Sequence, residues 1–149
     1  MSIQLIVDEP YARVWADEAV PCIVVQLHSF ANRDQFKALM NAGLAHYQAH
    51  SHPARRWGWV GDTRRMSAIP KDVQQWLAQE WNVHAYAAGL REISIVTSEN
   101  IMGQLATQQY AQQALAQPEK YQLQPIYYSS LAQAQEGAAK RCAALQAAE

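Results

Sequence analysis

Features that would assign this chain of 149 residues to a specialised class of protein are scarce. Lysine and arginine number 12 against 13 aspartates and glutamates, so no basic field is present to hold a nucleic acid backbone or an anionic membrane. The longest apolar runs, such as residues 22–25, are too short to span a bilayer. The first residues lack a basic stretch followed by an apolar one, so no signal peptide is predicted.

Cysteine is rare as well: Cys22 and Cys142 are the only two, and they lie far apart without a CxxC motif. We therefore expect two reduced thiols in a cytoplasmic protein. The motifs GxSxG, GxGxxG and GxxxxGK[ST] are absent, so neither a nucleophile elbow nor a nucleotide loop is indicated. No cofactor is predicted.

The chain has enough apolar material for one core, because hydrophobic residues make up 50% and charged residues 17%. Alternating or continuous apolar runs predict strands at residues 11–15, 22–27, 57–60, 93–96 and 124–128. Helical periodicity predicts helices at residues 33–50, 70–88 and 103–116 and from residue 131 onward. Asn32 and Gln35 form a capping box at the first helix, and Gly89 is the expected left-handed stop of the second.

These elements follow the order β-β-α-β-α-β-α-β-α. Strands that alternate with helices of this length predict one α/β domain over residues 1–149, with a mixed, mostly parallel sheet and helices packed on it. The first predicted strand is expected to be an antiparallel edge. The Gln-rich third helix is expected on an exposed flank.

A charged turn, WVGDTRRM at residues 59–66, directly follows the third predicted strand. It resembles the W-x-x-D-x-R-x-M element of bacterial SpoIIAA-like, or STAS-like, proteins. The tryptophan-bearing helix that follows, the AGLR junction at residues 88–91 and YYSSLAQA at residues 127–134 are similar to later parts of that family. The resemblance covers residues 11–138.

This resemblance implies a STAS-type fold and a non-catalytic role as a regulatory, partner-binding or small-ligand-binding module. Phospho-regulated STAS domains carry a phosphorylated serine at the start of the helix after the third strand. Ser67 stands at that place here, without the D-S-[ST]-G run of those domains. Phosphorylation of Ser67 is therefore a prediction that depends on the resemblance.

The charged turn is also the predicted site, because open α/β sheets bind ligands at the carboxyl ends of their strands. Asp62 in a bidentate pair would present Arg64 to an anion. The alternative is a structural ion pair, or an Asp62 that fixes the loop by accepting backbone N–H bonds. The predicted ligand-binding residues are Trp59, Asp62, Arg64, Arg65, Trp76, Trp81 and His84.

Tryptophan supplies the apolar part of that prediction. Alternation places Trp57 and Trp59 on one face of their strand, and Trp76 and Trp81 lie near the inner face of the second helix. We expect Trp59, Trp76 and Trp81 to form apolar walls of the site. The alternative is plain core packing.

The histidines are weaker candidates. His46 and His50 have the i, i+4 spacing of a metal pair, with His52 close by, but no cysteine or acidic residue lies near them in sequence. No metal site is predicted. His84 falls on the apolar face of the second helix, where a hydrogen-bonded core histidine is the usual case.

The predicted function is a non-enzymatic regulatory or binding module for a protein partner or a small amphipathic anionic ligand, whose binding would change tryptophan emission. The alternative is a small enzyme that uses Asp62, Arg64 and His84, which requires those side chains to converge in one cleft. A homodimer is also expected, because the first predicted strand, with Tyr11 and Trp15, is a free sheet edge.

Overall fold

The computed structural model describes residues 2–148, with side chains described for residues 2–145, so Met1 and Glu149 at the ends of the predicted domain lie outside it. Six strands form one sheet in sequential order. They are β1 (Ile3–Glu9), β2 (Ala12–Asp17), β3 (Cys22–Leu27), β4 (Gly58–Asp62), β5 (Glu92–Val96) and β6 (Gln124–Tyr128). The helices are α1 (Arg33–His50), α2 (Lys71–Trp76), α3 (Asn82–Ala87), α4 (Ile101–Leu115) and α5 (Leu131–Ala148), and a π-helical turn (Leu77–Trp81) joins α2 to α3.

The α/β class and the mostly parallel sheet are confirmed, because β3 to β6 pair in parallel while β1–β2 and β2–β3 are antiparallel. The predicted order is wrong by one strand, since β1 precedes the segment taken as the first. The apolar run of β1 does not alternate, because a bulge between Leu5 and Val7 interrupts its register. The segment with Tyr11 and Trp15 is therefore flanked on both sides, and the edge strands of the described sheet are β1 and β6.

The sequential strand order decides where the helices lie. Right-handed crossovers that always step in the same direction along a sheet emerge on the same face. Helices α1 to α4 accordingly cover one face, face A, over the larger core that contains Trp59. Helix α5 covers the other, face B, where Ala134 and Ala138 share a smaller core with Val60.

Local signals set the ends of the helices. Gln35 N donates to Asn32 Oδ1 and Asn32 N donates to Gln35 Oε1, both at 2.9 Å, so the predicted capping box is confirmed. Gly89 has φ +111°, which confirms the predicted left-handed stop. Helix α4 begins before residue 103, because Asn100 Oδ1 accepts from Met102 N at 2.7 Å. None of the described helices is both long and apolar enough to cross a membrane.

The π-helical turn changes which residues of the second helical segment are buried. The buried residues at intervals of four are Val73, Leu77, Trp81 and Ala85. In an uninterrupted α-helix this spacing would drift around the axis, and the wider π turn absorbs the drift. The predicted inner face is therefore wrong in part: His84 is exposed and Trp76 only half-buried, whereas Asn82 is fully buried.

A buried polar network ties the π turn to the rest of face A. Tyr121 Oη donates to the backbone oxygen of Ala78 at 2.8 Å and accepts from Asn82 Nδ2 at 3.2 Å. Asn82 Oδ1 accepts in turn from Tyr110 Oη at 2.9 Å. The network satisfies buried groups that the interrupted helix brings into the core.

We expect Tyr121→Phe to lower the free energy of unfolding by about 1–3 kcal/mol, because it leaves a buried carbonyl and a buried amide without their partner. Tyr127→Phe is the matched control: its hydroxyl donates to Thr107 O at 3.3 Å, but the residue is 44% exposed. Urea unfolding of both variants checks the difference. Equal losses from the two variants would contradict a structural role for the network.

Candidate functional site

A row of polar side chains crosses face B near the carboxyl ends of the parallel strands. The register places Asp8, Arg13, Gln26 and Asp62 next to one another on β1 to β4. Arg13 Nε donates to Asp8 Oδ1 at 3.3 Å, and both side chains are about half exposed. Gln26 Nε2 donates to Asp62 Oδ2 at 2.9 Å. The row therefore has an exposed outer pair, Asp8 and Arg13, and a shielded inner pair, Gln26 and Asp62.

Asp62, a member of the inner pair, is only 1% exposed. Arg64 grips its carboxylate with two parallel bonds, from Nε to Oδ1 at 2.9 Å and from Nη2 to Oδ2 at 2.7 Å. The Arg64 backbone N–H adds a bond to Oδ1 at 3.3 Å. With Gln26 on Oδ2, each carboxylate oxygen accepts two hydrogen bonds. The Asp62–Arg64 pair is therefore bidentate, and Asp62 also fixes the loop through the backbone N–H of Arg64; presentation of Arg64 to an anion stays a prediction.

The charges of Asp62 and Arg64 stabilise each other. Burial by itself raises the pKa of Asp62, but the hydrogen bonds from Arg64 and Gln26 together outweigh burial and lower that pKa below its usual value. The hydrogen bond to Asp62 in turn raises the pKa of Arg64. Asp62 is therefore a carboxylate at neutral pH and a weak proton acceptor.

A cleft of about 220 Å³ opens beside this pair. Its lining consists of Gln26, Leu27, His28, Asp62, Arg64, Arg65 and Glu99. The Arg64 side chain remains 39% exposed although its carboxylate partner is shielded. Glu99 N donates to Arg64 O at 3.0 Å, which ties the loop after β4 to the loop after β5. The cleft thus presents two guanidinium groups and the carboxylate of Glu99, which interacts electrostatically with Arg64.

Sequence reasoning missed Gln26, His28 and Glu99. Gln26 is a single polar residue near the end of β3, an otherwise apolar strand, and His28 is the first residue after that strand. Glu99 comes three residues after the end of β5. All three lie at or beyond the carboxyl ends of parallel strands, so the rule that singled out Asp62 would have found them had it been applied to every strand.

The tryptophans are not part of this cleft. Trp59 and Trp81 are buried on face A, where their rings meet edge to face with centroids 4.9 Å apart. Trp81 Nε1 donates to Met40 O at 3.2 Å, so the indole proton is used inside the core. Trp76 is half-buried beneath Lys37 Nζ, which lies 5.4 Å from its ring centroid. The structure therefore separates the predicted apolar walls from Arg64 and Arg65.

His84 also lies away from Asp62. It is exposed on α3, so the expectation of a core histidine is wrong. The helical segment that begins at Lys71 rises by about 20 Å before it reaches His84. Asp62, Arg64 and His84 consequently do not converge in one cleft.

His46 and His50 stack face to face, with ring centroids 4.0 Å apart and planes 10° apart. His50 Nδ1 pairs with the backbone oxygen of His46 at 2.9 Å, so one ring nitrogen is engaged within the helix. Burial lowers the pKa of His46, and His50 lowers it further. Within residues 2–145, no group of three or more His, Cys, Asp or Glu side chains is placed to hold a metal ion.

Neither thiol is activated. Burial raises the pKa of Cys22 to about 11 and that of Cys142 to about 11. Both side chains are therefore protonated at neutral pH and are weak nucleophiles. Ser67 is half-buried in the loop between β4 and α2, and its phosphorylation stays a prediction.

Comparison with known proteins found no matching family model, no similar curated protein and no similar solved structure. The STAS-like resemblance of the charged turn therefore stays a prediction. The geometry around Asp62 and Arg64 is what indicates a site.

We expect part of the stability of this protein to titrate with Asp62. Because the folded pKa is lowered, the stabilisation is fully present above the unfolded pKa of about 3.9 and is lost as the pH falls through the folded pKa. Asp62→Asn should cost about 1–2 kcal/mol at neutral pH and flatten the acid side of the stability profile. Urea unfolding between neutral and acid pH measures both effects.

Asp8→Asn is the control for this experiment, because Asp8 pairs with Arg13 in the same row at the exposed surface. An exposed pair contributes little to stability. An acid profile of Asp62→Asn as steep as that of the unmodified protein would show that the Asp62 pair does not stabilise the fold.

Proposed function

We propose that this protein is a non-catalytic binding module, of the STAS-like type that its sequence resembles, and that it holds a small anionic molecule in the cleft beside Arg64. The observation that carries the proposal is the fixed guanidinium: a shielded carboxylate holds Arg64 from behind while 39% of its side chain stays exposed to the cleft. A guanidinium fixed in advance loses less conformational freedom when a ligand binds.

The remaining hydrogen-bond donors favour a carboxylate or a phosphate. Asp62 engages Nε and Nη2 of Arg64, which leaves the two protons of Nη1 and one proton of Nη2 for a ligand. Arg65 is exposed in the same lining and adds a second cation. Glu99, also in the lining, favours a ligand that carries a hydroxyl or an amine beside its anionic group.

A catalytic role has less support. Both oxygens of Asp62 are occupied by hydrogen bonds, and its lowered pKa makes it a poor general base. His84, the acid–base group of the enzyme hypothesis, lies exposed on α3 outside the lining of the cleft. With Asp62 engaged and His84 outside the cleft, the fixed cation suits binding better than turnover.

The proposed ligand is more polar than the amphipathic molecule expected from the sequence, because the tryptophans do not line the cleft. Tryptophan emission is therefore a poor readout of binding, and calorimetry is the better one. The STAS-like resemblance also implies a regulatory role and a protein partner, and the two reduced thiols imply a cytoplasmic location; all three are proposals.

The test is titration calorimetry with acetate, succinate, citrate and inorganic phosphate. The variant is the double substitution Asp62→Asn/Arg64→Gln, which removes both charges and so leaves no unpaired buried carboxylate. We expect at least one of these anions to bind, and its affinity to fall about tenfold or more in the variant, because a charge-assisted bidentate contact is lost.

The matched control is Asp8→Asn/Arg13→Gln, which makes the same two substitutions in the exposed pair of the same row. This control should bind the anion with unchanged affinity. Absence of binding by all four anions, or equal weakening in both double variants, would refute the proposed anion site.

We also propose that the expected homodimer forms through β1 instead of through residues 11–15. One side of β1 pairs with β2, and no described strand pairs with its other side. Ile3 and Leu5 are 53% and 51% exposed on this strand, and their register with Asp17 and Trp15 places both side chains on face B beside the free edge. Two such edges meeting about a two-fold axis would cover each other.

Sedimentation velocity checks this proposal. We expect a dimer that Leu5→Lys converts to a monomer, because each substitution would bring a charge into the apolar surface that the two β1 strands share. Ile101→Lys is the control, since Ile101 is 77% exposed on α4. A monomer at every concentration of the unmodified protein would dismiss the dimer.

A further inference from the structure

A separate cavity lies on face A above Gly61, in the middle of β4. The register places Gly61 between Val25 of β3 and Ile95 of β5. A Cβ atom built on Gly61 would meet no atom within 4 Å. At Gly43, by contrast, a Cβ atom would lie 2.7 Å from Trp59, so the same core is tightly packed nearby. The empty space is therefore specific to Gly61.

The neighbours of Gly61 explain why the space stays open. Trp59, the preceding residue on the same strand face, lines the cavity and packs its ring against Gly43 and Trp81, so it does not fill the space directly above Gly61. The β-branched side chains of Val25 and Ile95 stand on either side as walls. The glycine between them forms the floor of a notch in the sheet.

Face A helices and the loop after β4 form the roof of this cavity, whose volume is about 70 Å³. Phe36, Met40, Met66 and Leu77 contribute to the roof. Gly61 keeps some exposed surface although its chain neighbours on both sides are buried, which shows that the cavity can be reached from outside. Two methionines in the roof make it adaptable, because their unbranched side chains repack easily.

The lining offers no free hydroxyl proton. The hydroxyl groups in the lining are those of Thr63, Thr107 and Tyr110. Thr63 Oγ1 donates to Val96 O at 2.5 Å, Thr107 Oγ1 to Gln104 O at 3.0 Å, and Tyr110 Oη to Asn82 Oδ1 at 2.9 Å. A water molecule needs several polar partners, so a space with this lining favours an apolar guest.

We propose that the Gly61 cavity is a binding site for a small apolar group, an alkyl chain of a few carbons or a small ring. An apolar cavity of about 150 Å³ admits benzene, so roughly half that volume suits a smaller guest, or a ring once the methionines move. The site is separate from the Arg64 cleft. The two lie on opposite faces of the sheet and have Leu27 as their only common lining residue.

Xenon is the probe for this site, because it is small, spherical and apolar. With ¹³C-labelled methionine methyl groups, rising xenon pressure should shift the resonances of Met40 and Met66, which line the cavity. Met102 is the internal control, since it is 49% exposed on α4 and outside the lining. Shifts of all three alike, or of none, would overturn the proposal.

Two variants then locate the site. Gly61→Val should fill the notch, raise the melting temperature by a few degrees and abolish the xenon shifts, because the added atoms meet open space. If Gly61→Val does not fold, Gly61→Ala tests the same point with a single added carbon. Failure of both to fold, or persistent shifts in a folded variant, would refute the cavity.

The double variant Asp62→Asn/Arg64→Gln should keep the full xenon response, because its substitutions lie on face B. Loss of the response there would show that the two sites are one. The apolar site and the anion site can therefore fail independently of each other.

Discussion

The direction of the strand crossovers is the constraint from which most of this structure follows. Each parallel pair from β3 to β6 steps the same way along the sheet, so α1 to α4 collect on face A. Only α5 remains for face B, where it packs on a smaller core from β3, β4 and β5. The uneven distribution leaves the Asp8–Arg13 pair and the guanidinium of Arg64 exposed on face B, and it leaves the apolar side chains of β1 uncovered.

Within that frame, burial gives the Asp62–Arg64 pair a double role. A carboxylate that is 1% exposed has to be satisfied, and Arg64 and Gln26 satisfy both of its oxygens. The same bonds set the orientation of the guanidinium that faces the cleft. Stability and recognition are therefore coupled, and a variant that removes one charge alone cannot separate them.

Face A is closely packed around Trp59 and open at the cavity above Gly61. Gly43 admits the ring of Trp59, and the π turn rotates Trp81 into contact with it. Tyr121 satisfies the carbonyl of Ala78 inside that turn. Above Gly61, which lies between two β-branched neighbours, no atom comes within 4 Å of the position that a Cβ would take, so this packing leaves a space. One face thus offers an apolar space and the other a charged cleft.

The sequence alone determined the α/β class, the helix ends at Asn32 and Gly89, and the position of a charged turn at the end of β4, because apolar periodicity and capping are local. Only the tertiary structure decided the rest. The bulge in β1 breaks the alternation that would have identified this segment as a strand. The π turn changes the phase of the second helical segment, so His84 lies outside the core although an uninterrupted helix would place it inside. The separation of the tryptophans from Arg64 depends on which face of the sheet each side chain occupies. The hydrogen bond of Gln26 to Asp62 depends on the pairing of β3 with β4, which joins residues 36 positions apart in sequence. Such long-range register is set by the packing of the whole sheet, which no single segment of the chain encodes.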